Sequence, residues 1–247
     1  MKLLHRAYVI FGYYLSWIVF FAVGVALNIA CMPLLLFPQS EQRSAAVRVT
    51  IRKLFLAWCA WLHAMRLIYV EWEGFTAEAL EGPAVYIANH PGLLDATFIL
   101  ARLPDTICIF KPKLIRNPAM GPAAVMAGYA SGDAGVDLIR DVAERVKAGR
   151  SLLVFPEGTR TVRSVELNPL KPGFALIAAR AEVPVRMIAV LGPRDLVPKG
   201  TRFWDVPKFP ARVQIKLLGE LPANGTTTAT ELTARAAQQL SEAIAAS

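Results

Sequence analysis

Apolar residues dominate the chain from Ala7 to Ser40, and no charged residue stands between Arg6 and Glu41. As one continuous helix this run would extend about 51 Å at ~1.5 Å per residue, against roughly 30 Å of bilayer hydrocarbon. One span fits and two do not. Pro33 and Pro38 interrupt any helix over the whole run, which leaves a single span to about Ala30 or a short helical hairpin dipping into one leaflet. A cleaved signal peptide is the bland alternative, because Asn28-Ile29-Ala30-Cys31 faintly resembles a lipoprotein site, but the apolar stretch exceeds the ~7 to 15 residues of a usual signal core. From about Gln42 to Tyr69 the pattern predicts a helix with Arg48 and Arg52 one turn apart and an almost wholly apolar second half, Leu54 to Leu62. Its first half reads as a cationic interfacial helix, or as a helix covering a sheet with its basic residues solvated.

Beyond residue 70 the period changes. Short apolar runs bounded by turn residues predict strands at Val85 to Ala88, Thr106 to Phe110, Ser151 to Phe155, Val185 to Leu191 and Arg212 to Leu218. Between them, helical patterns fall at Leu93 to Arg102, Pro118 to Met126, Asp137 to Ala148 and Gly173 to Ala181, with a last helix from Thr230 to Ala245. Strand and helix in alternation predict an α/β sheet covered by helices. The organisation expected is an anchor over 1–40, an amphipathic helix over 41–70 and a catalytic domain over 71–247. The stretch Asn224 to Thr230 reads as a loose link before the last helix.

Charge sharpens the contrast between the two parts. Residues 1 to 70 hold seven Lys or Arg against Glu41 alone, which is +6 of the formal +8; the remainder carries 20 basic and 18 acidic residues. That near-balance argues against a nucleic-acid surface and makes an anionic membrane the expected partner. Cys31, Cys59 and Cys108 lie in apolar stretches with no paired spacing, so neither a disulfide framework nor a zinc site is indicated.

Of three histidines, His5 sits in the basic start, His63 in an apolar helix and His90 directly after a strand. Only His90 is where α/β sheets gather chemistry, at a strand's C-terminal end. Dispersed histidines make no metal site, so its role is general acid/base. In a regular helix Asp95 would lie about 140° away from His90 at ~3.6 residues per turn. A turn at Pro91-Gly92 brings the carboxylate back toward the imidazole, where it fixes the tautomer and raises the basicity of the other nitrogen. No Ser or Cys stands in a nucleophile-elbow context, so the nucleophile is a substrate hydroxyl. A second cluster, Phe155-Pro156-Glu157-Gly158-Thr159-Arg160, follows an apolar strand. There Arg160 suits forked contact with a phosphate while Thr159 and backbone N–H groups add donors; the bland reading is a turn with a surface arginine. The long connection Gly192 to Pro210 mixes Arg194, Lys199, Arg202 and Lys208 with Phe203, Trp204 and Phe209, which suits a lipid interface, an acyl donor's phosphates or plain solvation.

Asn89-His90-x4-Asp95 followed about 60 residues later by Phe155-Pro156-Glu157-Gly158-Thr159-Arg160 resembles the lysophospholipid acyltransferase family, which includes 1-acylglycerol-3-phosphate acyltransferases. The likeness covers roughly Arg66 to Gly219. It implies a glycerolipid acyltransferase-type α/β sheet covered by helices, with an N-terminal membrane-anchoring helical segment. It further implies His90 as the base that deprotonates a lysophospholipid hydroxyl, oriented by Asp95, with acyl-CoA or acyl carrier protein as co-substrate and no cofactor. By the same likeness Asn89, Lys111, Lys113, Glu157, Gly158, Thr159 and Arg160 bind substrate, while Gly121, Lys171, Gly173, Val183 and Pro184 serve the acyl chain or the structure. The location implied is the cytoplasmic membrane with the catalytic domain in the cytoplasm, in line with the basic residues that follow the apolar run. The family's second block usually ends in Asp-Arg, whose Arg contacts the acceptor phosphate; here Gly132-Asp133-Ala134-Gly135 has no Arg. Lys111, Arg116 and Arg140 are the candidate substitutes. That gap keeps another lipid-like acceptor, such as a lyso amino-acid lipid, beside 1-acylglycerol 3-phosphate. A non-catalytic lipid-binding membrane protein has no need of His90, Asp95 and Glu157 together.

Overall fold

The computed structural model describes residues 2–117, 120–132, 135–193, 196–197, 200, 202, 204–223 and 227–246. Pro118, Asp133, Ala134, Arg194, Lys199, Phe203 and Asn224, named above, lie outside them. Among the described residues one sheet has seven strands: β1 (Ile68–Glu73), β2 (Val85–Ala88), β3 (Thr106–Phe110), β4 (Ala130–Ser131), β5 (Ser151–Val154), β6 (Val185–Leu191) and β7 (Ala211–Leu221), in the order β1-β7-β6-β2-β5-β3-β4. All of β2 is buried, as an unbroken apolar run requires when both faces of the sheet are covered. β2 pairs in parallel with β5 and β6, β3 with β5 and β4. β7 is antiparallel to β6 and parallel to β1. The C-terminal ends of β2, β3, β4, β5 and β6 therefore share one edge, and the residues leaving that edge include His90, Lys111, Gly132 and Glu157.

One face carries α2 (Glu41–Ala64) against β1, with α3 (Asp95–Leu100), α5 (Gly121–Met126) and α1 (Lys2–Cys31) packed around it. The other carries α6 (Gly135–Lys147), α7 (Gly173–Ala181) and α8 (Ala229–Ala245) side by side. A short helix, α4 (Pro112–Ile115), follows β3. Alternation of strand and helix thus yields the α/β fold expected, and α1 is long and apolar enough to cross a membrane by length and composition.

The helix expected to reach Tyr69 stops at Ala64, and the last three residues of the 41–70 segment belong to β1 or lead into it. The stop is made by Arg66 at φ 53, with Leu67 N–H donating to Leu62 O (3.0 Å) and Arg66 N–H to His63 O (2.9 Å). This is the glycine-type C-terminal motif built on an arginine, so no Gly or Pro punctuates the sequence. Arg48 departs from the cationic-surface reading. It is 4% exposed, and its guanidinium donates to Asp105 Oδ1 (2.6 Å), Ala127 O (3.0 Å) and Glu41 Oε1 (2.5 Å). The basic half of α2 is therefore partly an internal brace.

Candidate active site

Asn89 continues the pairing of β2 with β6 beyond the strand. Its Nδ2 donates to Val190 O (3.0 Å) and its Oδ1 accepts from Val190 N–H (2.7 Å). At 3% exposed, its side-chain amide is engaged in this pairing and holds the start of the next turn in place. The chain then turns through Pro91 and Gly92, and α3 opens on Asp95 itself. Asp95 Oδ2 lies 2.8 Å from His90 Nδ1 and accepts from Gly92 N–H at 2.8 Å. The separation of helix faces is overcome by the turn, as expected. A methyl group on Gly92 would stand 3.1 Å from both Asp95 Oδ1 and Leu196 O, so the turn closes only around glycine. With Nδ1 held by a buried carboxylate, Nε2 is the nitrogen left to take a proton. Burial pushes the Asp95 carboxyl above the ordinary aspartate range and the nearby Glu157 adds to this, while the His90 contact and the Gly92 N–H pull it down.

The second loop, leaving β5, is bound to the first at three points. The Phe155 ring stacks on the His90 imidazole with centroids 4.1 Å apart at 23°. Thr161 N–H donates to His90 O (2.7 Å), and His90 N–H donates to Glu157 Oε1 (2.8 Å). Glu157 also accepts from Thr161 Oγ1 (2.8 Å) and, through Oε2, from Asn168 N–H (2.9 Å). Buried to 4% exposure, its carboxylate joins the loops and holds the backbone of His90 in place. Phe155 as a ring, Thr161, Asn168 and Val197 are the site residues that sequence reasoning missed. Nothing in their spacing marks them, although Thr161 directly follows Arg160.

Gly158, Thr159 and Arg160 occupy the outer turn of this loop. Gly158 has φ 69, and Arg160 donates to Val197 O at 3.3 Å. Lys171 lies against the same turn: a methyl on Gly158 would meet its Nζ at 3.1 Å. Lys111 is the residue before α4 and, like Lys113, is exposed at the end of β3 on the catalytic edge. Gly121 opens α5 where a methyl would fall 1.9 Å from Ile115 O, a structural role. Gly173 begins α7. Val183 and Pro184 lead into β6 beside Val85, whose N–H donates to Pro184 O (3.0 Å). They sit at the opposite end of β2 from His90 and brace the sheet. Arg140 on α6 pairs with Asp137 at 3.6 Å. The described cysteines are free and buried, and no group of three His, Cys, Asp or Glu suited to a metal exists among the described residues.

Sequence comparison agrees with this arrangement: the pattern of the family described as Acyltransferase matches residues 68–190, the span from β1 to β6 that holds both loops. The chain belongs to the acyltransferase family. This acyltransferase-family chain is 35% identical over 116 residues to a 1-acyl-sn-glycerol-3-phosphate acyltransferase of Cocos nucifera, covering 44% of the chain and 37% of that relative. It is 32% identical over 128 residues to a lyso-ornithine lipid O-acyltransferase of Pseudomonas aeruginosa, covering 50% of the chain and 48% of that protein. The chain thus spans half or less of the length of these curated relatives. The crystal structure of the 1-acyl-sn-glycerophosphate acyltransferase PlsC from Thermotoga maritima shares its fold, with a TM-score of 0.73 at 23% identity over 98% of this chain and 96% of that one.

Proposed function

We propose that the chain transfers a fatty acyl group from the thioester of acyl-CoA or acyl carrier protein to the free hydroxyl of 1-acylglycerol 3-phosphate, giving phosphatidic acid. The observation that carries this reading is the imidazole of His90 held through Nδ1 by a buried Asp95 at 2.8 Å, with the Arg160 loop laced to the same residue. Nε2 of His90 takes the proton of the acceptor hydroxyl as its oxygen attacks the thioester carbonyl. The tetrahedral intermediate collapses, the C–S bond breaks, and the thiolate takes the proton back from the imidazolium. No cofactor enters this scheme. Detergent-purified protein given lysolipid and each donor is the test. His90→Ala and Asp95→Asn are expected to lose turnover by at least about a hundredfold, the lower bound for a positioned acid/base group; near-parental rates in both would sink the mechanism.

The same chemistry on an amino-acid lysolipid is the second reading. It is favoured by Ala134, where the family's second block carries an Arg, and by the name of the Pseudomonas relative. Rescue of a strain deficient in phosphatidic acid synthesis would count against it.

The proposed location is the cytoplasmic face of the inner membrane. Support comes from α1, whose Phe11, Ile18, Phe21 and Ile29 are exposed apolar surface, and from Leu36 and Phe37 exposed just beyond it. Contacts of α1 with the body run from Tyr8, which donates to Met65 O (2.9 Å), to Asn28, which accepts from Ala123 N–H (3.0 Å). Twenty residues of helix are about 30 Å, a full hydrocarbon thickness, so a span sheathed in lipid leaves no room for those contacts. The hairpin in one leaflet is the form this favours.

A further inference from the structure

At the edge of the sheet opposite His90, where β3 and β5 begin, a cavity of about 190 Å³ opens beside the first turn of α2. That is below the ~300–1,000 Å³ of a whole small-molecule site, so it takes one small group. Three guanidiniums line it, those of Arg48, Arg145 and Arg150, against the single carboxylate of Glu41. Asp105 and Asp141 pair with Arg48 and Arg145 from outside that lining. Glu41 serves two of the three: its Oε1 accepts from Arg48 Nη2 and from Arg150 Nε (2.8 Å), and its Oε2 from Arg150 Nη2. Among the described residues Arg150 Nη1 has no acceptor. The Ser44 hydroxyl lines the same cavity at 6% exposure and likewise has no hydrogen-bond partner among them. A buried donor left unpaired is costly, and an anion in the cavity satisfies it. The positive end of the 24-residue α2, capped by Ser40, lies at the same wall and favours negative charge there.

Gln39 and Ser40 of the cavity wall come within four residues of Leu36 and Phe37, which are 84% and 59% exposed at the end of the apolar hairpin. An acyl tail beside Leu36 and Phe37 and a phosphate at Ser44 and Arg150 are the two ends of one lipid. We propose that this cavity binds the phosphate of an anionic membrane phospholipid, apart from the acyl-transfer site; the lipid source rests on the membrane location proposed above. Free inorganic phosphate offers the same chemistry without the tails.

The full chain in dodecyl maltoside micelles is titrated with phosphatidylglycerol, phosphatidylcholine or inorganic phosphate, and binding is read by calorimetry and by the rise in melting temperature. Phosphatidylglycerol is expected to bind at least about tenfold more tightly than either of the others, and Arg150→Gln to weaken it by about tenfold or more, the scale of one charge-assisted hydrogen bond. Because Arg150 also holds Glu41, Ser44 supplies the second variant. Ser44→Asp sets a carboxylate where the anion would lie, and is expected to abolish binding while the unliganded protein melts at or above the parent temperature. Equal binding of phosphatidylcholine or of free phosphate, or undiminished phosphatidylglycerol binding in either variant, would each overturn the proposal. Headgroup binding in micelles by a chain that does not sediment with vesicles would instead overturn the membrane location and leave the site standing.

Discussion

Asp95 meets two demands that pull apart: its carboxylate must be ionised to hold the His90 tautomer, yet burial favours the protonated form. A carboxyl whose pKa is higher folded than unfolded binds its proton more tightly when folded. Its stabilising contribution is full below the ordinary aspartate value and is lost as pH rises through the raised one. Asp95→Asn removes that dependence and presents an N–H to Nδ1, which selects the wrong tautomer. At neutral pH the variant is expected to melt at or above the parent temperature although inactive, with the difference shrinking in acid; melting curves at both pH values check this, and a less stable variant at neutral pH contradicts it. Turnover of the parent should fall with acidification at a pH above that of an ordinary aspartate. Glu157 behaves differently because it serves three donors. Glu157→Ala leaves them unpaired at ~1–3 kcal/mol each, so denaturant unfolding should show a loss of about 3 kcal/mol or more. Glu157→Gln keeps Oε1 but sets an amide against the Asn168 N–H, and is expected to lower kcat with little change in acceptor KM. That His90 and Asp95 meet could be read from the chain because the contact follows from residue type and local spacing. The partners of Asn89 and Glu157 were not legible for the opposite reason: they are Val190 and Asn168, residues 101 and 11 positions away.

At the scale of elements, the turns carry the geometry. The contact of Gly121 with Ile115 O leaves 1.9 Å for a methyl, and only movement of backbone relieves it. Gly121→Ala is expected to destabilise by about 2 kcal/mol or more, the range of severe overpacking, and to displace α4 with Lys111 and Lys113; thermal melting and acceptor KM measure the two effects. The strands β2, β3, β5 and β6 were legible because a continuous apolar run of four to seven residues has one sensible home in a covered sheet. β1 was not, since Leu67 to Val70 extends the apolar pattern of α2 and the chain break is an arginine in a left-handed conformation.

For the whole molecule, the hairpin of α1 and α2 is fastened to the sheet by Arg48, whose partners Asp105 and Glu41 are about half exposed. Because water screens those carboxylates, Arg48→Met should cost about 1–3 kcal/mol, chiefly through the unpaired Ala127 carbonyl and the loosened α2. Leu36→Asp with Phe37→Asp, both exposed beyond the end of α1, is expected to shift the protein from sedimenting vesicles into the supernatant without changing its melting temperature. Unaltered co-sedimentation would count against the leaflet-dipping tip.

The amino-acid sequence by itself determined the alternation of strand and helix, the apolar N-terminal helix and the meeting of His90 with Asp95, because each depends on side-chain type over a few neighbouring positions. Tertiary structure alone decided that Arg48 faces inward, that Glu157 joins the two loops, that Asn89 pairs with Val190 of β6, and that Lys171 lies over Gly158. Burial and hydrogen-bond partners are properties of chain segments brought together across the sheet, and no local pattern encodes which polar group will find which partner.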